Sequence, residues 1–226
     1  MIAFDNVSKI YSSTSIALED VTFSIEPEEF VSFVGQSGAG KSTLLKLLLA
    51  EEKPTSGKVF FESIDVHRLK NGEVPSLRRR MGVVFQDYKL LPTKTAYENI
   101  AFAMEASGRG EEEIKSTVPQ VLELVGLADK AWHFPSELSG GEMQRVAIAR
   151  GLVNQPDVVI ADEPTGNLDP INTWEIINLL EKINELGTTV ILATHDKEVI
   201  DALKRRVITL EKGRVVRDEK RGRYVL

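Results

Sequence analysis

The hydrophobic positions of this chain change rhythm along its length. Short runs rich in β-branched and aromatic residues fall at 21–25, 30–34, 59–61, 83–85, 158–162, 190–193 and 207–210. Stretches with helical spacing separate the later runs, which predicts β-α-β crossovers and a parallel sheet. The first thirty residues contain no such helical stretch. Their short alternating runs predict an antiparallel sheet at the edge of the domain.

Between residues 97 and 127 the pattern turns helical. Ile114, Val118, Val121, Leu122 and Val125 recur at offsets of 4, 7, 8 and 11, forming a single apolar stripe. Glu111, Glu112 and Glu113 precede it, as suits a helix N-terminus, and Gly126 is placed to end it. The pattern predicts one domain, an α/β core built from about 1–87 and 156–226 with a helical subdomain inserted at about 88–155. There are no internal repeats and no low-complexity segments.

The apolar run at 30–34 leads into Gly35-Gln36-Ser37-Gly38-Ala39-Gly40-Lys41-Ser42, a complete phosphate-binding loop. Small residues let consecutive backbone N–H groups curl around phosphates. Lys41 supplies a point charge to the β- and γ-phosphates, and the Ser42 hydroxyl is placed to ligate Mg²⁺. A helix begins at Ser42 and Thr43, so its positive end faces the anion.

Hydrolysis needs more than a cradle. The run at 158–162 ends in Asp162 and Glu163, and strand alternation sends such neighbours to opposite faces. Alone, the pair would equally suit two solvated acids capping a strand. Beside a phosphate loop, Asp162 would hold the Mg²⁺ shell and Glu163 would polarise the attacking water. His195 follows the run at 190–193 and falls at the crevice where such sheets bind ligands. It reads either as a γ-phosphate contact or as a structural histidine. Gln86 ends the run at 83–85 and is placed to sense metal and water, although its chemistry alone leaves that open.

Ser139-Gly140-Gly141, before the amphipathic stretch 142–152, looks like a second helix N-terminus built for an anion. One chain already has a phosphate loop, so the economical solution is that this segment caps a nucleotide held by another copy. Two copies would then pair head-to-tail about a two-fold axis, burying two ATP molecules.

Composition narrows the classes. The chain has 226 residues, of which 42% are hydrophobic and 27% charged, ordinary for a globular protein. A formal net charge of −6 argues against nucleic-acid binding through phosphates. No apolar run approaches the ~18 residues that span a bilayer, the start lacks a signal-peptide pattern, and the absence of cysteine removes disulfide and thiolate chemistry. The expected compartment is the cytoplasm. From 212 to 226 six basic residues stand against Asp218 and Glu219, which reads as a solvated, charged terminus, with an anionic membrane surface as the alternative contact.

Taken in order, these motifs resemble the ATP-binding-cassette ATPases over essentially the whole chain. The match includes 35–42, Gln86, Leu138-Ser139-Gly140-Gly141-Glu142, Asp162-Glu163, the dimer-contact loop Asn167-Leu168-Asp169 and His195. The resemblance implies a P-loop NTPase (RecA-like) core with an N-terminal antiparallel β subdomain and an inserted α-helical subdomain. It also implies Mg²⁺-dependent ATP hydrolysis, Tyr11 against adenine, metal contacts from Ser42, Gln86 and Asp162, and catalytic roles for Glu163, His195, Gln86 and Lys41. Segments 48–57, 84–92, 161–170, 193–196, 205–208 and 213–219 look most like the bacterial cell-division branch of the family. That branch implies an integral membrane partner at the cytoplasmic face of the division site, and control of peptidoglycan hydrolases. The alternative is the motor of a lipoprotein-releasing or macrolide-type exporter. A soluble cassette acting on DNA or ribosomes fits an acidic, single-cassette chain less well. Leu90, Leu91 and Tyr97 are either contacts that carry motion to the membrane partner or packing among the subdomain's own helices. Two positions depart from the family pattern: Glu142 replaces a common Gln, and Glu28 stands where a turn glycine is common, a change expected to alter only a surface turn.

Overall fold

The computed structural model describes residues 1–12 and 15–224. Strands β1 (Ile2–Ser12), β2 (Ser15–Ile25), β3 (Phe30–Val34), β4 (Ser56–Phe61) and β5 (Ile64–Asp65) surround helix α1 (Lys41–Leu48) in the first part of the chain. Helix α2 (Val74–Arg79) and strand β6 (Met81–Phe85) follow, then helices α3 (Ala96–Ala106), α4 (Glu111–Leu124) and α5 (Gly140–Leu152). Strand β7 (Val158–Asp162), helix α6 (Pro170–Glu185), strand β8 (Thr189–Ala193), helix α7 (Lys197–Leu203) and strands β9 (Arg206–Glu211) and β10 (Arg214–Glu219) complete it.

Two sheets result. The first is antiparallel, in the order β2-β1-β4-β5; the second runs β10-β9-β3-β8-β7-β6, parallel except for the β9–β10 hairpin. The parallel strands are buried on both faces, which is why they read as continuous apolar runs. Alternation sorts their side chains. Val158, Ile160, Ile191 and Ala193 pack with α1 and the antiparallel sheet, while Val159, Ala161, Val190 and Leu192 pack with α3, α4, α5 and α6. The predicted stripe on α4 buries Ile114, Val118 and Leu122 in that second cluster. The segment between 88 and 155 therefore shares its core with one face of the parallel sheet.

The link from β6 to α3 is held by one buried amide. Asn99 Oδ1 accepts from the Leu91 N–H at 2.7 Å, and its Nδ2 donates to the carbonyls of Leu91, Lys94 and Thr95 at 3.1, 2.9 and 2.9 Å. Thr95 also caps α3 reciprocally with Glu98. Asn99→Ala should lower unfolding stability by roughly 2–3 kcal/mol, because it strands several buried partners. Chemical denaturation reads this directly, and an unchanged midpoint would contradict it.

The charged tail is mostly exposed, as a solvated terminus would be, but it is also ordered. Residues 214–219 form the edge strand β10, with Arg214 paired to Glu19 and Asp218 to Arg206. Exposed charges suit an edge strand, which must resist pairing with other chains. Val225 and Leu226 lie outside the described residues. Glu28 occupies an exposed turn with φ 62, the left-handed conformation that makes glycine favourable there.

Candidate active site

Strand β3 ends at the phosphate loop and α1 begins within it, with Gly40 in the N-cap position. Gly35 has φ 151, and a Cβ there would lie 2.4 Å from the Leu210 carbonyl oxygen, so no other residue fits without moving β9. Lys41 is buried, and its Nζ donates to the Gly35 and Gln36 carbonyls at 2.7 and 3.3 Å. The loop thus holds its own cation where a phosphate oxygen would be met.

Around the loop lies a cleft of about 550 Å³, lined by Gln36, Ser37, Gly38, Gly40, Lys41, Ser42 and Thr43 together with Ala17, Gln86, Glu163, His195 and Tyr224. Ser42 Oγ donates to Asp162 Oδ2 at 3.2 Å. The other oxygen, Asp162 Oδ1, is buried without a hydrogen-bond partner. Burial, and then the nearby Glu163 charge, push the Asp162 carboxyl above the usual range despite the bond from Ser42.

Alternation along β7 predicts opposite facings for Asp162 and Glu163, and the structure corrects this. The strand ends at Asp162, and Glu163 takes φ 50, so both carboxylates face the phosphate loop. Glu163 Oε1 stands 3.9 Å from Lys41 Nζ. His195 Nδ1 lies 2.9 Å from each Glu163 oxygen, so the Nδ1–H donates to that carboxylate. Gln86 also reaches the cleft. Its Nε2 donates to Asn167 Oδ1 at 3.3 Å, and Asn167 Nδ2 returns a bond to the Gln86 carbonyl at 3.2 Å.

The second helix N-terminus sits apart. Ser139 caps α5, accepting from the Glu142 N–H at 3.2 Å, while the Ser139 N–H donates to Glu142 Oε2 at 2.8 Å. Those bonds, led by the backbone one, hold the Glu142 carboxyl below its ordinary value. A Cβ on Gly141 would run into the Asn172 side chain, so any larger residue here must displace Asn172 at the start of α6. None of Ser139, Gly140 or Gly141 lines the phosphate cleft of the same chain.

The ABC transporter family model matches residues 18–166. The chain belongs to the ABC transporter family. It is 54% identical over 224 residues to the cell division ATP-binding protein FtsE of Bacillus subtilis, covering 99% of this chain and 98% of that protein. The FtsE of Mycobacterium tuberculosis is 53% identical over 225 residues, with 99% and 98% covered. That of Escherichia coli K12 is 49% identical over 213 residues, with 94% and 96% covered. Among solved structures, the dimeric ATP-binding cassette MJ0796 bound to ADP and Pi aligns with TM-score 0.87 and 39% identity, covering 99% of this chain and all 100% of that one. The cassette therefore has the expected P-loop NTPase core with its antiparallel and helical additions.

Within the cassette, the residues fit a divalent cation. Among the described residues no group of three or more His, Asp or Glu side chains is arranged for a metal. A hydroxyl from Ser42 and the orphaned Asp162 Oδ1 instead offer two hard oxygen ligands beside the loop, the donor set that Mg²⁺ shares with phosphates. Tyr11 stands outside the cleft, about half exposed, with Lys9 Nζ 4.9 Å from its ring centroid. Sequence reasoning missed Tyr224. Its N–H donates to Asp201 Oδ1 at 2.9 Å and its ring packs on Val34, Ile200 and Val207, which brings it into the cleft. No local motif marks it, because only the fold brings residue 224 near Glu163.

Proposed function

We propose that this cassette is the ATP-binding and hydrolysing subunit of an FtsEX-like membrane complex, with an FtsX-like integral partner. Head-to-tail pairing of two copies on ATP is converted into control of peptidoglycan hydrolases during bacterial cell division. The observation that carries the cell-division reading is the 49–54% identity to FtsE proteins along nearly the whole chain, well beyond the catalytic motifs.

The hydrolytic step follows from the cleft. ATP phosphates enter the curl of loop 35–42 at the N-terminus of α1, and Lys41 Nζ exchanges its carbonyl partners for phosphate oxygens. Ser42 and Asp162 would hold Mg²⁺, with Gln86 in reach, and the ion would neutralise phosphate charge. Glu163 accepts a proton from the attacking water, and His195 fixes that carboxylate and meets the γ-phosphate. Ser139 and Gly141 of the opposing copy complete the cradle, since these residues lie outside the cleft of their own chain. Tyr11, which lies outside the cleft, would have to turn onto the adenine when nucleotide binds.

Among the described residues no helix is long and apolar enough to cross a membrane, so attachment to the cytoplasmic face of the division site runs through the partner. A groove of about 540 Å³ beside Leu91 supports that reading. It has Met81, Val83 and Phe102 on its walls and the cations Arg78, Arg79 and Arg150 among its lining. Gln86, with Leu90, Leu91 and Tyr97 beyond it, would pass nucleotide-dependent motion to a segment docked there.

The test is to isolate the Glu163→Gln protein from native membranes in the presence of ATP. Recovery of a small integral protein with one extracytoplasmic domain, plus a cell-wall hydrolase or its activator, is expected. A larger permease carrying a lipoprotein or drug would make the chain an exporter motor instead.

A further inference from the structure

The geometry points to Arg150 and Gln144 as positioning residues that tie the signature helix α5 to the segment after Gln86. Nucleotide in one copy would thereby aim the helix end that completes the other copy's site. The inference rests on the paired-cassette reading above.

Arg150 lies in the last turn of α5, and burial pulls its pKa down with no carboxylate beside it to offset the cost. A half-buried guanidinium still loses hydration that only used donors can replace. Here they are spent on backbone: Nη2 donates to the Tyr88 carbonyl at 2.8 Å and Nη1 to the Lys89 carbonyl at 2.5 Å. Those two residues are themselves strained. Tyr88 and Lys89 have φ 57 and 50, two successive left-handed positions without a glycine. Such backbone persists only where its surroundings hold it, and the Arg150 fork is what grips it.

A second attachment lies one turn and a half nearer the start of α5. Gln144 is fully buried, its Nε2 donates to the Phe85 carbonyl at 3.4 Å, and its Oε1 has no partner. Phe85 directly precedes Gln86. Tyr88 also lies beside the helix N-terminus, where a Cβ on Gly140 would come within 3.1 Å of its hydroxyl. Tyr88 therefore accepts from Arg150 of the last turn and lies beside the first residue of a helix whose thirteen residues span about 20 Å. A displacement of Gln86 toward nucleotide must carry residues 85–89, and through these bonds α5 moves with them as a rigid body. Ser139 and Gly141 are re-aimed by that movement.

The experiment compares the Glu163→Gln parent with Glu163→Gln/Arg150→Met. Labelled-ATP titration at low protein concentration reads binding, and light scattering reads dimer mass against ATP. Binding should match the parent, while the ATP concentration for half-dimerisation rises by about tenfold. A merely structural role would move melting without separating these two readouts. If both proteins dimerise at the same ATP concentration, the strut is overturned and the paired reading stands. If the parent itself fails to dimerise, the paired reading falls and the strut falls with it. Should Arg150→Met not melt cooperatively, Arg150→Lys decides. It keeps the charge with a single donor nitrogen in place of the planar fork, so a smaller rise is expected, and an unchanged midpoint overturns the inference.

Discussion

Glu163→Gln should cut ATP turnover by about 10²- to 10⁴-fold, the usual contribution of a positioned general base. The amide keeps the size of the carboxylate, and its oxygen can still accept from His195 Nδ1, which lies 2.9 Å from both Glu163 oxygens. It cannot take a proton from water. Nucleotide should therefore bind and the clamp should close without reopening. Light scattering should show the 25.1 kDa chain shifting to twice that mass on ATP and remaining there. A variant that hydrolyses at the parental rate would remove Glu163 from the role of base and leave His195 as the residue to test.

Lys41→Ala should weaken ATP binding at least tenfold, about 1.4 kcal/mol or more. The loss comes from the point charge that meets the β- and γ-phosphates, since the Gly35 and Gln36 carbonyls give up the ammonium when nucleotide binds. Lys41→Arg should fail as well, because a planar fork does not replace a compact ammonium in a buried pocket. Circular-dichroism melting separates lost affinity from lost fold. Unchanged affinity in a nucleotide titration would mean that backbone N–H groups alone hold the phosphates.

Much of the fold was legible because the governing interactions are local. Runs such as 158–162 and 190–193 are continuous and β-branched, and the structure buries them on both faces of a parallel sheet. Ser139-Gly140-Gly141 read as a helix start, and the structure adds a reciprocal cap between Ser139 and Glu142. The tail was harder to read. Its basic residues suggested a solvated end, and only pairing with β9 makes 214–219 an edge strand.

The candidate site divides in the same way. Loop 35–42, Gln86, Glu163 and His195 were each visible at the end of an apolar run, and the parallel sheet gathers those ends at one cleft. The facing of Glu163 was misread, because a strand rule was applied one residue past the strand. Tyr224 was invisible, since nothing near it in sequence concerns phosphate.

By itself the sequence determined which chemistry is present and in what order. A phosphate loop, a capped helix and an apolar strand are encoded by steric and hydrogen-bonding preferences within a few residues. Tertiary structure alone decided which groups meet. The left-handed turn at Glu163, the Tyr224 wall, the grip of Arg150 on Tyr88 and Lys89, and the separation of Ser139 from its own phosphate loop all arise from packing between distant segments. Such contacts form only when burial of the shared core brings those segments together.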